Sequence, residues 1–329
     1  MKAIQVEKVG GPEKMQLVEV PVPEPGPGQV LVRVVASGVN FIDVYFRNGL
    51  YKGDVPLRLG SEGAGIVERV GNGVTEVEVG ARVAYAMVRG SYAEFAVVPV
   101  MQLVPLPDDV DFITGAGVLL QGLTAHYLTR STVVLKAGDT CLVHAAAGGA
   151  GGLIVQMAKR AGARVFGTVS TSAKAVAAKD LGVDEVIRYT EVEFDVEARR
   201  LTDGRGVDVV YDSVGQNTFD RSLNALRVRG TLALFGQSSG PVRPIDPAIL
   251  NPKGSLFLTR PSLAHHIVTR DELTWRASEV FEGLRARWLK FRLHQTLPLA
   301  DAATAHRLLE GRLTTGKVVL TCESTSSAS

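Results

Sequence analysis

The chain has 329 residues, 46% of them hydrophobic and 21% charged, with a formal net charge of +2. That length supports two domains with real cores, and the near balance of charge, with no basic run carrying interleaved aromatics, argues against a nucleic-acid partner. No stretch of about eighteen apolar residues is free of charge, and the start MKAIQVEKVGG lacks the apolar core of a signal peptide, so a soluble cytoplasmic protein is expected.

Over residues 1–124 the signals are short apolar runs, QLVEV, VLVRVVA, GAGIVERVG, ARVAYAMV and YAEFAVVP, separated by Gly and Pro. They predict a compact all-β barrel or sandwich with a few short helices. PVPEPGPG at 21–28 is a stiff connection into the strand at 30–36. Over 125–261 the texture changes. CLVHA, ARVFGTV, EVIRY, VDVVYDSV and TLALFGQ are strand candidates spaced by helical stretches, and that alternation predicts a parallel, doubly wound α/β sheet. Residues 262–329 return to helical periodicity around DELTWRASEVFEGLRARWL, then close with a helix at DAATAHRLLEG, a strand at KVVLTC and a polar tail, STSSAS, expected to be disordered. Cys141 and Cys322 are far apart, so neither a disulfide framework nor a cysteine zinc site is expected, and Cys141 reads as core.

Residues 140–152, TCLVHAAAGGAGG, run an apolar strand into a glycine cluster and then into the helical pattern LIVQMAKRAGA. Glycines permit a tight turn and close backbone approach, and the following helix aims unpaired N–H groups and the positive end of its dipole at a diphosphate. Ala147, Gly148, Gly149, Ala150 and Gly151 are therefore candidate phosphate contacts; the alternative is an ordinary strand-to-helix turn. The spacing departs from G-x-G-x-x-G, because Ala145 or Ala146 stands where the first glycine belongs. A second strand at 163–170 completes a βαβ unit of about thirty residues. A site for NAD places an Asp or Glu at the end of that strand, to hold the adenosine ribose hydroxyls. From Arg164 through Lys179 no acid occurs, and Ser170, Thr171, Ser172 and Lys174 stand there instead. Hydroxyls and an ammonium suit a 2′-phosphate, which makes NADPH the expected cofactor.

Six motifs follow one another along the chain: PGPGQVLVRVVASGVNFIDVYFRNGLY at 25–51, LGSEGAGIVERVG at 59–71, HAAAGGAG at 144–151, VVYDSVG at 209–215, LFGQSSG at 234–240 and GSLFLTRPSL at 254–263. In this order they make the chain resemble the medium-chain dehydrogenase/reductase superfamily, and within it the zinc-free NADPH:quinone oxidoreductases of the zeta-crystallin type, over essentially its whole length. The resemblance implies a Rossmann doubly wound parallel sheet, at 125–261, inserted into a GroES-like mostly-β catalytic domain built from 1–124 and 262–329. It also implies a homodimer formed through a Rossmann edge strand.

The same superfamily contains zinc alcohol dehydrogenases. Those enzymes place a cysteine, a His-Glu pair and a second cysteine where the resemblance sets Asn40, Ser61 followed by Glu62, and Gln121. Asn, Ser and Gln supply neither the thiolate nor the imidazole that zinc prefers. His126, His144, His265, His266, His294 and His306 form no ligand spacing and read as packing or surface residues, so no metal is expected. Without a metal, another group must stabilise the negative charge that builds on oxygen when hydride reaches a quinone or an α,β-unsaturated carbonyl. The loop NFIDVYFRNGLY offers Asn40, Tyr45 and Tyr51, whose counterparts line the substrate and nicotinamide cleft in the resembling family, and Gln121 adds an amide donor. Asp43 reads as structural, since its charge opposes such an anion.

The resemblance carries further cofactor contacts onto Tyr189 and Ser213, near the adenosine phosphate and ribose, and onto Phe235, Ser238 and Ser239 at the next strand end, with Arg260 and Lys317 added more weakly. The implied activity is transfer of reducing equivalents from NADPH to quinones. The alternatives are reduction of activated alkenes, or a non-catalytic NADPH-binding structural or RNA-associated protein.

Overall fold

Buried and exposed side chains alternate from the first residues: β1 (Lys2–Val6) turns Ala3, Ile4 and Val6 inward and pairs antiparallel with β2 (Gln16–Glu19). The computed structural model, which describes residues 1–322, then builds a larger curved sheet around β3 (Gln29–Gly38). After α1 (Phe41–Arg47) and the short β4 (Leu57–Arg58) come β5 (Glu62–Val70), β6 (Arg82–Ala86), β7 (Phe95–Pro99), β8 (Leu103–Pro105) and α2 (Phe112–Tyr127). β3 is long enough to serve three partners. β5 runs along one edge of it, and β7 pairs with its first half on the other. The tail STSSAS lies outside the described residues.

Two helices depart from the sequence reading. Residues 41–47, expected as loop, are helical because Asn40 and Asp43 close the first turn on each other: the Asn40 N–H donates to Asp43 Oδ2 at 3.0 Å and the Asp43 N–H to the Asn40 carbonyl at 3.1 Å. α2 is a sixteen-residue helix in a region expected to hold only short ones. Most of its length is buried on every side, so it shows no polar stripe by which a surface helix announces itself.

The second region alternates strand and helix: β9 (Thr140–Val143), α3 (Gly149–Arg160), β10 (Arg164–Val169), α4 (Ser172–Asp180), β11 (Glu185–Arg188), α5 (Phe194–Arg200), β12 (Val207–Asp212), α6 (Phe219–Ala225), β13 (Leu226–Leu234) and β14 (Phe257–Thr259). All pairings are parallel, in the order β11-β10-β9-β12-β13-β14. Both faces are covered, so strands such as TCLV are buried throughout rather than alternating. This is the doubly wound order in which the strand sequence reverses between β9 and β12, and ligands bind beyond the carboxyl ends of the strands at that reversal. The expected α/β class, a Rossmann sheet with a GroES-like domain, is what the chain forms.

The remaining elements are α7 (Arg270–Arg285), β15 (Leu293–Pro298), α8 (Ala302–Glu310) and β16 (Lys317–Thr321). β16 pairs with the second half of β3. Leu299, Ala302, Ala305, Val318, Leu320 and Cys322 enter the same apolar core as Val30, Val32, Val34, Val67 and Val98. The compact units are accordingly 1–120 with 267–281 and 291 onward, and 121–266 with 282–290. The first break falls inside α2, a few residues before the expected one at 124. Among the described residues no helix is long and apolar enough to cross a membrane.

Candidate active site

Between β9 and α3 the backbone turns through Ala145, whose φ is +52°. Ala145 takes a left-handed conformation that costs an alanine about 1–2 kcal/mol, one residue before Ala146, the first-glycine place by the spacing from Gly148 and Gly151. The Gly148 N–H donates back to the Ala145 carbonyl at 2.8 Å. Gly148 is the N-cap of α3, extended and without a side-chain cap, so the first N–H groups of the helix stay available to an anion. Gly148, Gly149 and Ala150 are half-buried and can meet a ligand. Ala147 and Gly151 are buried and shape the turn from beneath. A Cβ at Gly151 would collide with the Ala145 carbonyl oxygen, which fixes how closely α3 lies on the turn. Gly151→Ala should cost about 1–3 kcal/mol by overpacking and weaken dinucleotide binding with it; a urea midpoint and a nucleotide titration equal to those of the parent would refute this packing role.

Gln121, expected as a substrate donor, rests its amide over Gly149, where a Cβ would strike it. Its side chain belongs to the first turn of α3 in this arrangement.

At the end of β10, Thr171 caps α4 by accepting the Lys174 N–H at 3.3 Å. Ser170 and Lys174 are half-buried. The neighbouring strand end is tied to this turn: Thr190 Oγ1 donates to the Ser170 carbonyl at 3.1 Å and the Tyr189 N–H to the Val169 carbonyl at 3.2 Å. Tyr189 is 38% exposed, free to present its ring. Arg188, not singled out by sequence, sends Nη1 to Ser172 Oγ at 2.9 Å.

The ends of β12 and β13 are organised by Asp212, a residue that sequence reasoning passed over inside YDSVG. Its Oδ1 accepts the N–H groups of Val214 and Gly215 at 2.8 and 3.0 Å, and Thr218 Oγ1 donates to both of its oxygens. Ser222 Oγ donates to Oδ2 at 2.8 Å and so accepts from His144 Nε2 at 3.0 Å, which leaves Nδ1 to accept from Thr168 Oγ1 at 2.9 Å. Burial holds the His144 imidazole below its ordinary pKa, consistent with a neutral ring used for packing. The Phe235 N–H returns to the Asp212 carbonyl, and the Ser238 N–H to the Ser213 carbonyl. Ser213, Phe235 and Ser238 thus share one half-buried rim, with Arg260 exposed just beyond β14. The Ser239 hydroxyl donates to the Val214 carbonyl at 2.8 Å and accepts the Asn217 N–H at 3.1 Å, bracing the loop.

In the first unit the expected residues form a buried polar network. Lys317 Nζ donates to Asn40 Oδ1 at 2.7 Å and Glu62 Oε2 at 2.9 Å. Asn40 Nδ2 donates to Glu62 Oε2 at 2.7 Å and to the Gly38 carbonyl at 3.2 Å. Both amide donors of Asn40 are spent, and its residue is 4% exposed, so the expected role of its side chain as a donor to substrate gives way to holding this pair. Lys317 is 1% exposed and does not reach a cofactor through its ammonium; burial lowers its pKa against the pull of Glu62.

Beside it, Asp43 accepts from Ser61 Oγ at 2.6 Å and Tyr92 OH at 3.1 Å. Burial raises Asp43 to about 6, with the hydrogen bonds and Lys317 resisting. Tyr92 OH accepts in turn from His306 Nε2 at 3.2 Å, and His306 Nδ1 accepts from Arg47 Nη1 at 3.0 Å. Burial and the Arg47 charge lower His306 to about 3. Arg47 ends in a bidentate pair with Glu310 at 2.8 Å. No sequence spacing announces this network, because its members come from β3, α1, β5, α8 and β16, from Ser61 just before β5 and from Tyr92 in the loop between β6 and β7. On α1 the Tyr45 ring meets Tyr51 edge-on at 5.2 Å, and Phe46 meets Tyr51 at 5.6 Å. Tyr45 is 7% exposed and Tyr51 half-buried. Among the described residues no group of three or more His, Cys, Asp or Glu is arranged to hold a metal ion.

Comparison with known proteins agrees with this geometry. Residues 26–108 match the alcohol dehydrogenase GroES-like domain and 149–281 the zinc-binding dehydrogenase domain. The chain is 45% identical over 321 residues to a quinone oxidoreductase of Pseudomonas aeruginosa, covering 97% of this chain and 99% of that one. The chain belongs to the quinone oxidoreductase family of the medium-chain dehydrogenase/reductase superfamily. It is also 42% identical over 328 residues to a 2-haloacrylate reductase of Burkholderia, covering 97% and 98% of the two chains. The crystal structure of Escherichia coli quinone oxidoreductase complexed with NADPH superposes with a TM-score of 0.96 at 42% identity, covering 98% of this chain and all of that one. Within this family the dehydrogenase domain keeps the zinc-binding name, while the side chains at Asn40 and Ser61 are committed here to Glu62, Lys317 and Asp43.

Proposed function

We propose that this chain is an NADPH-dependent, zinc-independent quinone oxidoreductase, acting in the cytoplasm as a homodimer on small-molecule acceptors and without a nucleic-acid partner. The observation that carries the reading is the acid-free turn at Ser170, Thr171 and Lys174 beside the uncapped start of α3, in a chain 45% identical to a quinone oxidoreductase. Bound there, NADPH supplies hydride from C4 of its nicotinamide. The first turn of α3 holds the diphosphate by N–H groups and dipole. Ser170, Thr171 and Lys174 would hold the 2′-phosphate, and Tyr189 and Ser213 would lie near the adenosine phosphate and the ribose. Phe235, Ser238 and Arg260 would border the nicotinamide half of the cofactor at the strand ends. Tyr45 and Tyr51 donate to the substrate oxygen on which charge develops. The mutual engagement of Asn40, Glu62 and Lys317, with Ser61 held by Asp43, supports zinc independence, since an ammonium already neutralises the carboxylate. The 2-haloacrylate reductase relative favours a second reading, reduction of activated alkenes.

Steady-state oxidation of NADPH and NADH with 1,4-benzoquinone, an enone and a 2-haloacrylate tests both. Faster turnover with benzoquinone than with the alkenes, a preference for NADPH and indifference to chelators are expected. One zinc per chain by elemental analysis, with activity lost on its removal, would falsify the zinc-independent reading.

A further inference from the structure

The turn after β10 carries one cation in its own sequence, Lys174, and the adjacent strand brings another to it. β10 and β11 pair in parallel with Val169 opposite Arg188, so the last residue of β11 stands beside the turn formed by Ser170, Thr171 and Ser172. The side chain reaches toward that turn, since Arg188 Nη1 donates to Ser172 Oγ at 2.9 Å. Thr190 and Tyr189 lock the two strand ends together through the Ser170 and Val169 carbonyls. We propose that Arg188 is a second cation for the 2′-phosphate and, with Lys174, sets the preference for NADPH over NADH; the proposal rests on the reading of the cofactor as NADPH.

The chemistry favours this pairing. A 2′-phosphate carries close to two negative charges and three acceptor oxygens, more than one ammonium neutralises. A guanidinium presents five N–H donors in a planar fork. It can therefore keep Ser172 on one nitrogen while the others meet phosphate oxygens. Arg188 also pairs with Glu191, but both side chains are well exposed, at 40% and 50%. Such a pair is weak and screened by solvent, so a phosphate dianion competes with it readily. Glu191 acts as a stand-in counter-charge, and it opposes the phosphate while it stays close. Lys174 comes from the first turn of α4 and Arg188 from the end of β11, so the two charges approach from different elements.

The test uses the intact protein and half-cofactor probes. Dissociation constants for 2′,5′-ADP, 5′-AMP, NADPH and NADH are measured by calorimetry on the parent, Arg188→Gln, Arg188→Lys, Lys174→Ala and Glu191→Gln. Arg188→Gln is expected to weaken 2′,5′-ADP and NADPH by roughly ten- to thirty-fold, with 5′-AMP and NADH changed by less than about twofold. Arg188→Lys recovers part of the loss, and Glu191→Gln tightens the phosphorylated ligands. If Arg188→Gln leaves 2′,5′-ADP binding unchanged while Lys174→Ala weakens it, Arg188 serves only Ser172 and Glu191 and the assignment falls. Equal losses for 5′-AMP and 2′,5′-ADP would trace the effect to a damaged turn and overturn it as well. Equal affinity of the parent for 2′,5′-ADP and 5′-AMP would instead overturn the NADPH reading on which it stands.

Discussion

Lys317→Met should destabilise the protein by about 3–5 kcal/mol, the range for breaking a buried ion pair by removing one partner. Methionine fills much of the same volume, so the loss is electrostatic rather than a cavity. It leaves the Glu62 carboxylate fully buried, with Oε1 lacking a partner among the described residues and Oε2 keeping only Asn40. Asn40 Oδ1 loses its donor at the same time. Lys317 is also one of the groups that hold Asp43 down to about 6 from the higher value burial would impose, so Asp43 rises further in the variant. A folded-state value above the ordinary 3.8 means that the native protein keeps a proton the unfolded chain has released. The unfolded state then binds fewer protons, and stability falls as pH climbs from about 4 through 6 and beyond. Urea midpoints should therefore show a larger deficit at pH 8 than at pH 5. Lys317→Met with Glu62→Gln removes the uncompensated charge and should regain a large part of the loss. A single variant within about 0.5 kcal/mol of the parent, the range of an inert surface change, or a double variant no better than the single, would overturn this account of the network.

That network also marks where sequence reading stopped. Strands such as VLVRVVA and CLVHA were legible because their period is carried by each residue and its neighbours. So was the doubly wound order, since strand-helix alternation constrains topology. Lys317 reads in sequence as a lone cation at the start of an apolar strand, within reach of a cofactor. Its partners, Asn40 and Glu62, lie 277 and 255 residues away along the chain, and only the pairing of β16 with β3 brings them together. Burial of the three is a tertiary fact with no local signature. The commitment of Asn40 is hidden for the same reason: an asparagine opening a cleft-lining segment looks like a free donor until its amide is found engaged.

The phosphate turn was half legible. The glycine cluster and following helix located it, but two alanines were candidates for the missing first glycine. The spacing from Gly148 and Gly151 sets that place at Ala146, while the left-handed residue of the turn is its neighbour Ala145, which residue type does not announce. At the adenosine end, the absence of acid was visible in sequence, whereas Arg188 was hidden because its proximity comes from strand register rather than spacing. Ser239 has a structural task that its residue type does not announce. A hydroxyl in a Gly-rich strand-end loop suits a ribose, yet such loops also need internal donors, and its hydrogen bonds to Val214 and Asn217 meet that need.

The second large effect concerns the chemical step. Hydride arriving at a quinone or enone pushes negative charge onto oxygen, and one well-placed donor to such an oxygen is worth about 2.7–4 kcal/mol in the transition state. Tyr45 and Tyr51 carry the phenols nearest to this role on α1 and the turn after it, with rings edge to face at 5.2 Å. The Tyr51 N–H donates to the Tyr45 carbonyl at 2.9 Å, so backbone as well as ring contacts fix their spacing. Tyr45→Phe and Tyr51→Phe keep the rings and that backbone bond and delete only the hydroxyls. Packing of the rings should survive, and the melting temperature of each variant is read beside its turnover. If either phenol meets the developing charge, its variant loses roughly a hundred-fold or more in kcat with little change in NADPH affinity, the pattern of an interaction made only in the transition state. The deficit should be greater for weakly activated enones than for benzoquinone, whose reduced form is already a stable anion and asks less of a donor. Single-turnover rates with saturating NADPH separate this step from product release. Parent-like rates on every acceptor in both variants would leave the tyrosines as walls around the substrate, and the protein's contribution would then be the proximity of hydride donor and acceptor.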